Sequence, residues 1–210
     1  MASEHTQDRR TFLKTLGFAA AAAGPMSLLT GLGLSGCRGP GSRKLNIVSA
    51  GIPKPNIVFI LADDLGYQDM GYCGGWIRTP HIDKLAAAGT QLDQFYVQPV
   101  CSPTRSSLMT GRYPMRVGFQ AGVVRPWSRH GLPLEERTLA EALKAAGYTT
   151  AICGKWHLGH LDDRYLPTAR GFDHQYGHYN GAIDYFTHVR DGALDWNRDD
   201  QPVREEGYST

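Results

Sequence analysis

Apolar and polar positions beyond residue 55 fall into alternating blocks of strand and helix character. Residues 56–62, N-I-V-F-I-L-A, form a continuous apolar run rich in branched side chains. Such a run predicts a strand buried on both faces of a parallel sheet. The pattern continues with a helix over 80–88 closed by Gly89, a strand over 91–97, a helix over 102–110, a helix over 138–146 and a strand over 148–153. The helix over 138–146 is the most sharply marked of these. Thr138-Leu139-Ala140-Glu141 is a capping box, the amphipathic pattern runs through Lys144, and Gly147 supplies the left-handed stop. Strands alternating with helices predict an α/β class, a mostly parallel sheet flanked by helices. No internal repeat interrupts the pattern, and residues 56–210 suffice for the core of one domain.

Three polar clusters stand where these elements end. Asp63 and Asp64 follow the first apolar run directly, at the carboxyl end of a strand, where ligands gather in open α/β sheets. Two adjacent carboxylates there repel each other unless a cation neutralises them, and oxygen donors select a hard ion such as calcium or magnesium. A solvated turn is the plainer reading of an isolated Asp-Asp. Cys101-Ser102-Pro103-Thr104-Arg105 reads as a cysteine at the start of a helix, with Pro103 in the first turn and Arg105 one turn on, on the same face. Free amides at a helix start favour negative charge beside residue 101, although a thiol there can equally be a small buried hydrophobe. Gly154-Lys155-Trp156-His157-Leu158-Gly159 follows the last strand. If it stays extended, Lys155 and His157 share one face and Trp156 takes the other.

The segments C-S-P-T-R with T-G-R at 110–112, the strand ending in Asp63-Asp64-Leu65-Gly66-Tyr67, and G-K-W-H-L-G occur in the order found in type I sulfatases, and the chain resembles that family. The resemblance implies an alkaline-phosphatase-like fold. It further implies that Cys101 is oxidised to formylglycine by a sulfatase-maturating enzyme and that the hydrated aldehyde is the nucleophile. Asp63, Asp64 and the modified Cys101 match metal ligands, usually for calcium, with magnesium as the alternative. Arg105 and Lys155 match residues that stabilise charge on the sulfate, and His157 matches the histidine that contacts the formylglycine hydroxyls. The stretch from Arg170-Gly171-Phe172-Asp173 to Asp184-Tyr185-Phe186-Thr187-His188 is similar to arylsulfatase B-like members, which include N-acetylgalactosamine-4-sulfatases. It favours a carbohydrate sulfate ester over an aryl sulfate as substrate. His174, His178 and His188 take no role in this reading, and His160 is expected at the surface.

Residues 1–36 carry Arg9-Arg10 ahead of an Ala/Gly/Leu stretch, and Leu34-Ser35-Gly36-Cys37 reads as a lipobox. This is the pattern of a twin-arginine lipoprotein signal, cut to leave a lipid on Cys37. Export would leave the protein periplasmic or membrane-anchored. Five consecutive alanines and Pro25 make the stretch a poor permanent span. Residues 37–55 form a Gly, Pro and Ser linker to the catalytic region at 56–210. Of the four cysteines this leaves Cys73 and Cys153, with Cys153 expected as a buried thiol and a disulfide between them left open.

The leader holds three of the 22 Lys/Arg and two of the 20 Asp/Glu, so 19 basic and 18 acidic groups follow it. That balance argues against nucleic-acid binding. Family members are considerably longer than this chain. The sequence therefore reads as an N-terminal portion of a sulfatase, expected to be weakly folded, poor in calcium affinity and inactive by itself. Two rivals are an alkaline-phosphatase-superfamily phosphatase or phosphodiesterase, against which Cys101 argues, and an inactive exported binding lipoprotein.

Overall fold

A computed structural model describes residues 53–120 and 122–209. The leader, the Cys37 lipobox and most of the linker lie outside them. Residues 53–58 belong to a separate unit and are exposed, with Val58 83% accessible. All further elements belong to the body that begins at Phe59.

Three α-helices form as the sequence pattern predicts. α1 is Pro80–Ala88, α2 is Cys101–Thr110 and α3 is Leu139–Ala145. Gly111, at φ 66°, ends α2 by returning its N–H to the Ser107 carbonyl at 2.8 Å. The capping box of α3 is complete: Glu141 N–H donates to Thr138 Oγ1 at 3.0 Å, and Thr138 N–H donates to Glu141 Oε2 at 2.9 Å.

Strands β1 (Ala151–Cys153), β2 (His174–Gly177), β5 (Asn197–Arg198) and β6 (Gln201–Pro202) make one sheet in the order β1-β2-β5-β6. β1 and β2 are parallel, pairing Ala151 with His174 and Cys153 with Tyr176. The β2–β5 and β5–β6 pairs are antiparallel. β3 (Val189–Arg190) and β4 (Ala193–Leu194) form a separate hairpin.

Two expected strands do not form. Residues 56–62 and 91–97 have no ladder among the described residues, and Ile60 is 80% accessible. An apolar run encodes readiness for burial, but a parallel strand exists only where neighbouring strands accept its N–H and C=O groups. The strand expected over 148–153 shortens to β1. Cys153 is exposed rather than buried, because Ala151 and Cys153 share the open face of the strand. Cys73, Cys101 and Cys153 are all free thiols, so Cys73 and Cys153 are unpaired.

The core gathers Met109 of α2, Ala140 of α3 and Val117, Phe119, Val124, Leu132, Leu158 and Tyr179 around Trp156. Trp156 packs edge-on against Phe172, centroids 6.1 Å apart, and its indole N–H donates to the Tyr165 carbonyl at 2.9 Å. Arg170 is the polar strut of this region. Only 2% exposed, it donates to the Leu132 and Glu136 carbonyls at 2.8 and 2.7 Å, while its own carbonyl accepts from Thr138 Oγ1 at 2.8 Å. That network ties the start of α3 to the turn before β2. Gly171 follows at φ 98°, where a Cβ would lie 2.4 Å from the Glu141 nitrogen. Only glycine fits there.

Candidate active site

The parallel pairing of β1 and β2 continues past both strands and places the G-K-W-H segment. Gly154 N–H donates to the Tyr176 carbonyl at 2.8 Å, Trp156 N–H to His178 at 2.9 Å and His157 N–H to Tyr179 at 3.0 Å. The chain turns at His157, which adopts φ 60°. The extended conformation expected through His157 therefore ends there, and the imidazole is directed into the interior, where the residue is buried. A left-handed non-glycine residue costs free energy, and such strain persists only where the surroundings fix it. Here Gly181 closes on the ring, since a Cβ on residue 181 would lie 2.6 Å from His157 Cε1.

Lys155 turns the other way, toward Asp63. Its Nζ lies 2.9 Å from Asp63 Oδ2, and Arg105 Nη2 approaches the same oxygen to 2.6 Å. Arg105 Nη1 also donates to the Lys155 carbonyl, closing a triangle between α2, the end of β1 and the Asp-Asp turn. Both cationic side chains are largely enclosed, Arg105 at 12% and Lys155 at 11% exposure, and Arg105 Nε is buried with no partner. Burial alone would raise the Asp63 pKa; hydrogen bonds from Lys155 and Arg105 outweigh it and hold the carboxyl below its ordinary value. Asp64 stands next to it, exposed, at φ 54°.

Cys101 opens α2, half-buried, one turn before Arg105. Its neighbour Ser102 donates through Oγ to the His157 carbonyl at 2.8 Å. The three clusters read from the sequence are thus linked: Asp63 to Arg105 and Lys155 by ion pairs, and the start of α2 to His157 by a buried hydrogen bond.

His157 Nε2 faces the Val124 carbonyl at 2.8 Å, and Nδ1 is buried without a partner. A nitrogen facing a carbonyl must carry the proton, which assigns the Nε2–H tautomer and leaves a lone pair on Nδ1. Burial first, then the charge of Lys155, push the imidazole pKa down to about 4. At neutral pH His157 is an uncharged hydrogen-bond acceptor in an enclosed, cation-rich site.

Residues 55–209 match the family model described as Sulfatase. The chain belongs to the sulfatase family. It is 47% identical over 142 residues to arylsulfatase J of Mus musculus, covering 68% of this chain and 24% of that protein. It is 42% identical over 146 residues to N-acetylgalactosamine-6-sulfatase of Rattus norvegicus, covering 65% and 28%. Among solved structures it resembles Ps i-CgsB with a TM-score of 0.69 at 35% identity, over 75% of this chain and 39% of that one. BT4656, solved in complex with its substrate D-glucosamine-2-N,6-O-disulfate, gives a TM-score of 0.59 at 29% identity, over 74% and 28%. The chain spans about a quarter of the length of these curated relatives. Its fold is the alkaline-phosphatase-like α/β fold of sulfatases.

Several residues of this sulfatase site had no sequence signal. Ser102 sits in the variable position of C-x-P-T-R, Val124 lies in a loop, and Gly181 is one of 25 glycines. His178 is half-buried, with its pKa lowered chiefly by burial, and stacks at 6.5 Å on Trp196. His188 stacks on the same indole at 4.6 Å, with both ring nitrogens buried and unpartnered. His160, expected at the surface, is half-buried with Nδ1 enclosed and its pKa lowered by burial.

Proposed function

We propose that the protein is a sulfuric ester hydrolase acting on a carbohydrate sulfate ester, with position 101, converted from cysteine to formylglycine, as its nucleophile. The observation that carries this reading is the meeting of Arg105 and Lys155 on Asp63 one helical turn from residue 101, with neutral His157 tied to the same helix start. Sulfate transfer needs fixed positive charge around the sulfuryl oxygens, and two enclosed cations supply it. The formylglycine hydrate supplies one hydroxyl to attack sulfur as the alcohol leaves and a second whose deprotonation expels sulfate and restores the aldehyde. His157 Nδ1, an unprotonated and unpartnered acceptor, is suited to take that hydroxyl proton.

Asp63 and Asp64 have the hard oxygen donors that calcium or magnesium requires, so the donor type fits the divalent metal of the family. Among the described residues no cluster of three or more ligating side chains completes a site. When bound, the metal would add fixed positive charge at Asp63 and Asp64. The carbohydrate preference is supported by relatives named for amino-sugar sulfates. Twin-arginine export and lipid attachment at Cys37 belong to the same proposal, as does a cysteine-oxidising maturation enzyme as partner.

The test is sulfate release from glucosamine 6-sulfate and from an aryl sulfate by the whole protein, to which this chain contributes the N-terminal portion, produced together with a maturation enzyme. Release that Cys101→Ala abolishes is expected. Release that persists in Cys101→Ala, or turnover of phosphate esters in its place, would overturn the proposal.

A further inference from the structure

α2 contains several hydroxyl side chains, and most of them bond within or just before the helix. Thr104 Oγ1 donates to Val100 and Gln98, Ser106 Oγ to Pro103 at 2.9 Å and Thr110 Oγ1 to Ser106 at 2.7 Å. This local back-bonding is the usual behaviour of Ser and Thr in helices. Ser102 differs. It is 0% exposed, and its Oγ leaves the helix in both directions, donating to the His157 carbonyl at 2.8 Å and accepting from Val124 N–H at 3.1 Å. The Val124 carbonyl in turn accepts from His157 Nε2 at 2.8 Å. These five groups, from three residues, form a closed circuit through segments that are 22 to 55 residues apart in sequence.

This circuit holds His157 at two points, its carbonyl and its ring, and one of the two anchors is the residue next to position 101. We infer that Ser102 is a positioning residue, whose hydroxyl fixes the tautomer and orientation of His157 relative to the nucleophile position. The inference rests on the sulfatase reading for its catalytic meaning, but the geometry it describes belongs to the chain alone. Removing the hydroxyl leaves the His157 carbonyl and the Val124 N–H buried and unpaired. The left-handed backbone at 157 then loses one of the contacts that over-determine it. Relaxation at either residue 124 or 157 breaks the Nε2–carbonyl bond, and the imidazole is free to exchange tautomers.

The readout is the pair of ring 15N shifts of His157 in the 210-residue chain at pH 7.5, assigned by their loss in His157→Gln. The unsubstituted chain is expected to show one fixed tautomer, with a protonated Nε2 and a bare Nδ1. Ser102→Ala is expected to average the two shifts, and Ser102→Thr, which retains the hydroxyl, to restore the fixed pair. A folded Ser102→Ala chain with unchanged His157 shifts overturns the inference, as does averaging in Ser102→Thr equal to that in Ser102→Ala. If Ser102→Ala does not fold, Ser102→Cys keeps the volume with a much weaker donor, and unchanged shifts there overturn it equally. The measurement involves no turnover, so an unmodified residue 101 or absent sulfate release would defeat the sulfatase reading without altering this result.

Discussion

Acidification offers a quantitative handle on the buried imidazole. In the unfolded chain His157 has an ordinary pKa near 6.5, and in the folded chain burial and the Lys155 charge bring it to about 4. Between these values the unfolded state binds a proton that the folded state refuses, so stability rises with pH across the window and is lost as pH falls from 6.5 toward 4. For one such group the loss comes to about 2 kcal/mol at pH 5 and about 3 kcal/mol at pH 4. That is a substantial share of the roughly 5–15 kcal/mol typical of a domain. His160 and His178 are shifted the same way, chiefly by burial, so total acid lability exceeds the contribution of His157. The assay isolates it by difference: urea unfolding of the chain and of His157→Gln at pH 7.5 and pH 5. The unsubstituted chain is expected to lose about 2 kcal/mol more on acidification than the variant. Equal losses in the two proteins would refute a neutral, enclosed His157.

Three further outcomes follow from the packing. Arg170→Met strands the Leu132 and Glu136 carbonyls that the guanidinium now satisfies, and a loss of about 3 kcal/mol in chemical unfolding is expected. Gly171→Ala forces a Cβ against the Glu141 nitrogen at φ 98°, so thermal unfolding is expected to show destabilisation of about 2 kcal/mol or more. Thiol labelling of the native chain is expected to modify exposed Cys153 faster than half-buried Cys73, and a Cys73–Cys153 disulfide in non-reducing peptide mapping would contradict the free thiols found here.

Much of the site is legible in the sequence because its chemistry is carried by local signals. The Thr138–Glu141 box, the Pro103 helix start and the Gly147 left-handed stop are each written within a few residues, and each forms. The union of Asp63, Arg105 and Lys155 is also foreseeable, because their segments all end at the same edge in the sulfatase pattern. What is not legible depends on non-local closure. The 56–62 run announces a strand, but pairing is a property of neighbours, and none among the described residues pairs with it. The turn at His157 arises from contacts with Ser102, Val124 and Gly181, which no period-two pattern encodes. Arg170 reads only as part of the arylsulfatase B-like stretch yet serves as an interior strut, since a guanidinium is buried only where distant carbonyls happen to converge on it.

The most direct test of the central claim is the mass of the proteolytic peptide containing residue 101, taken from protein made in cells that carry a sulfatase-maturation activity. Conversion of the thiol to an aldehyde is predicted to lower that mass by about 18 Da relative to the encoded cysteine. A peptide that retains the full cysteine mass throughout the population would contradict the assignment of position 101 as the nucleophile.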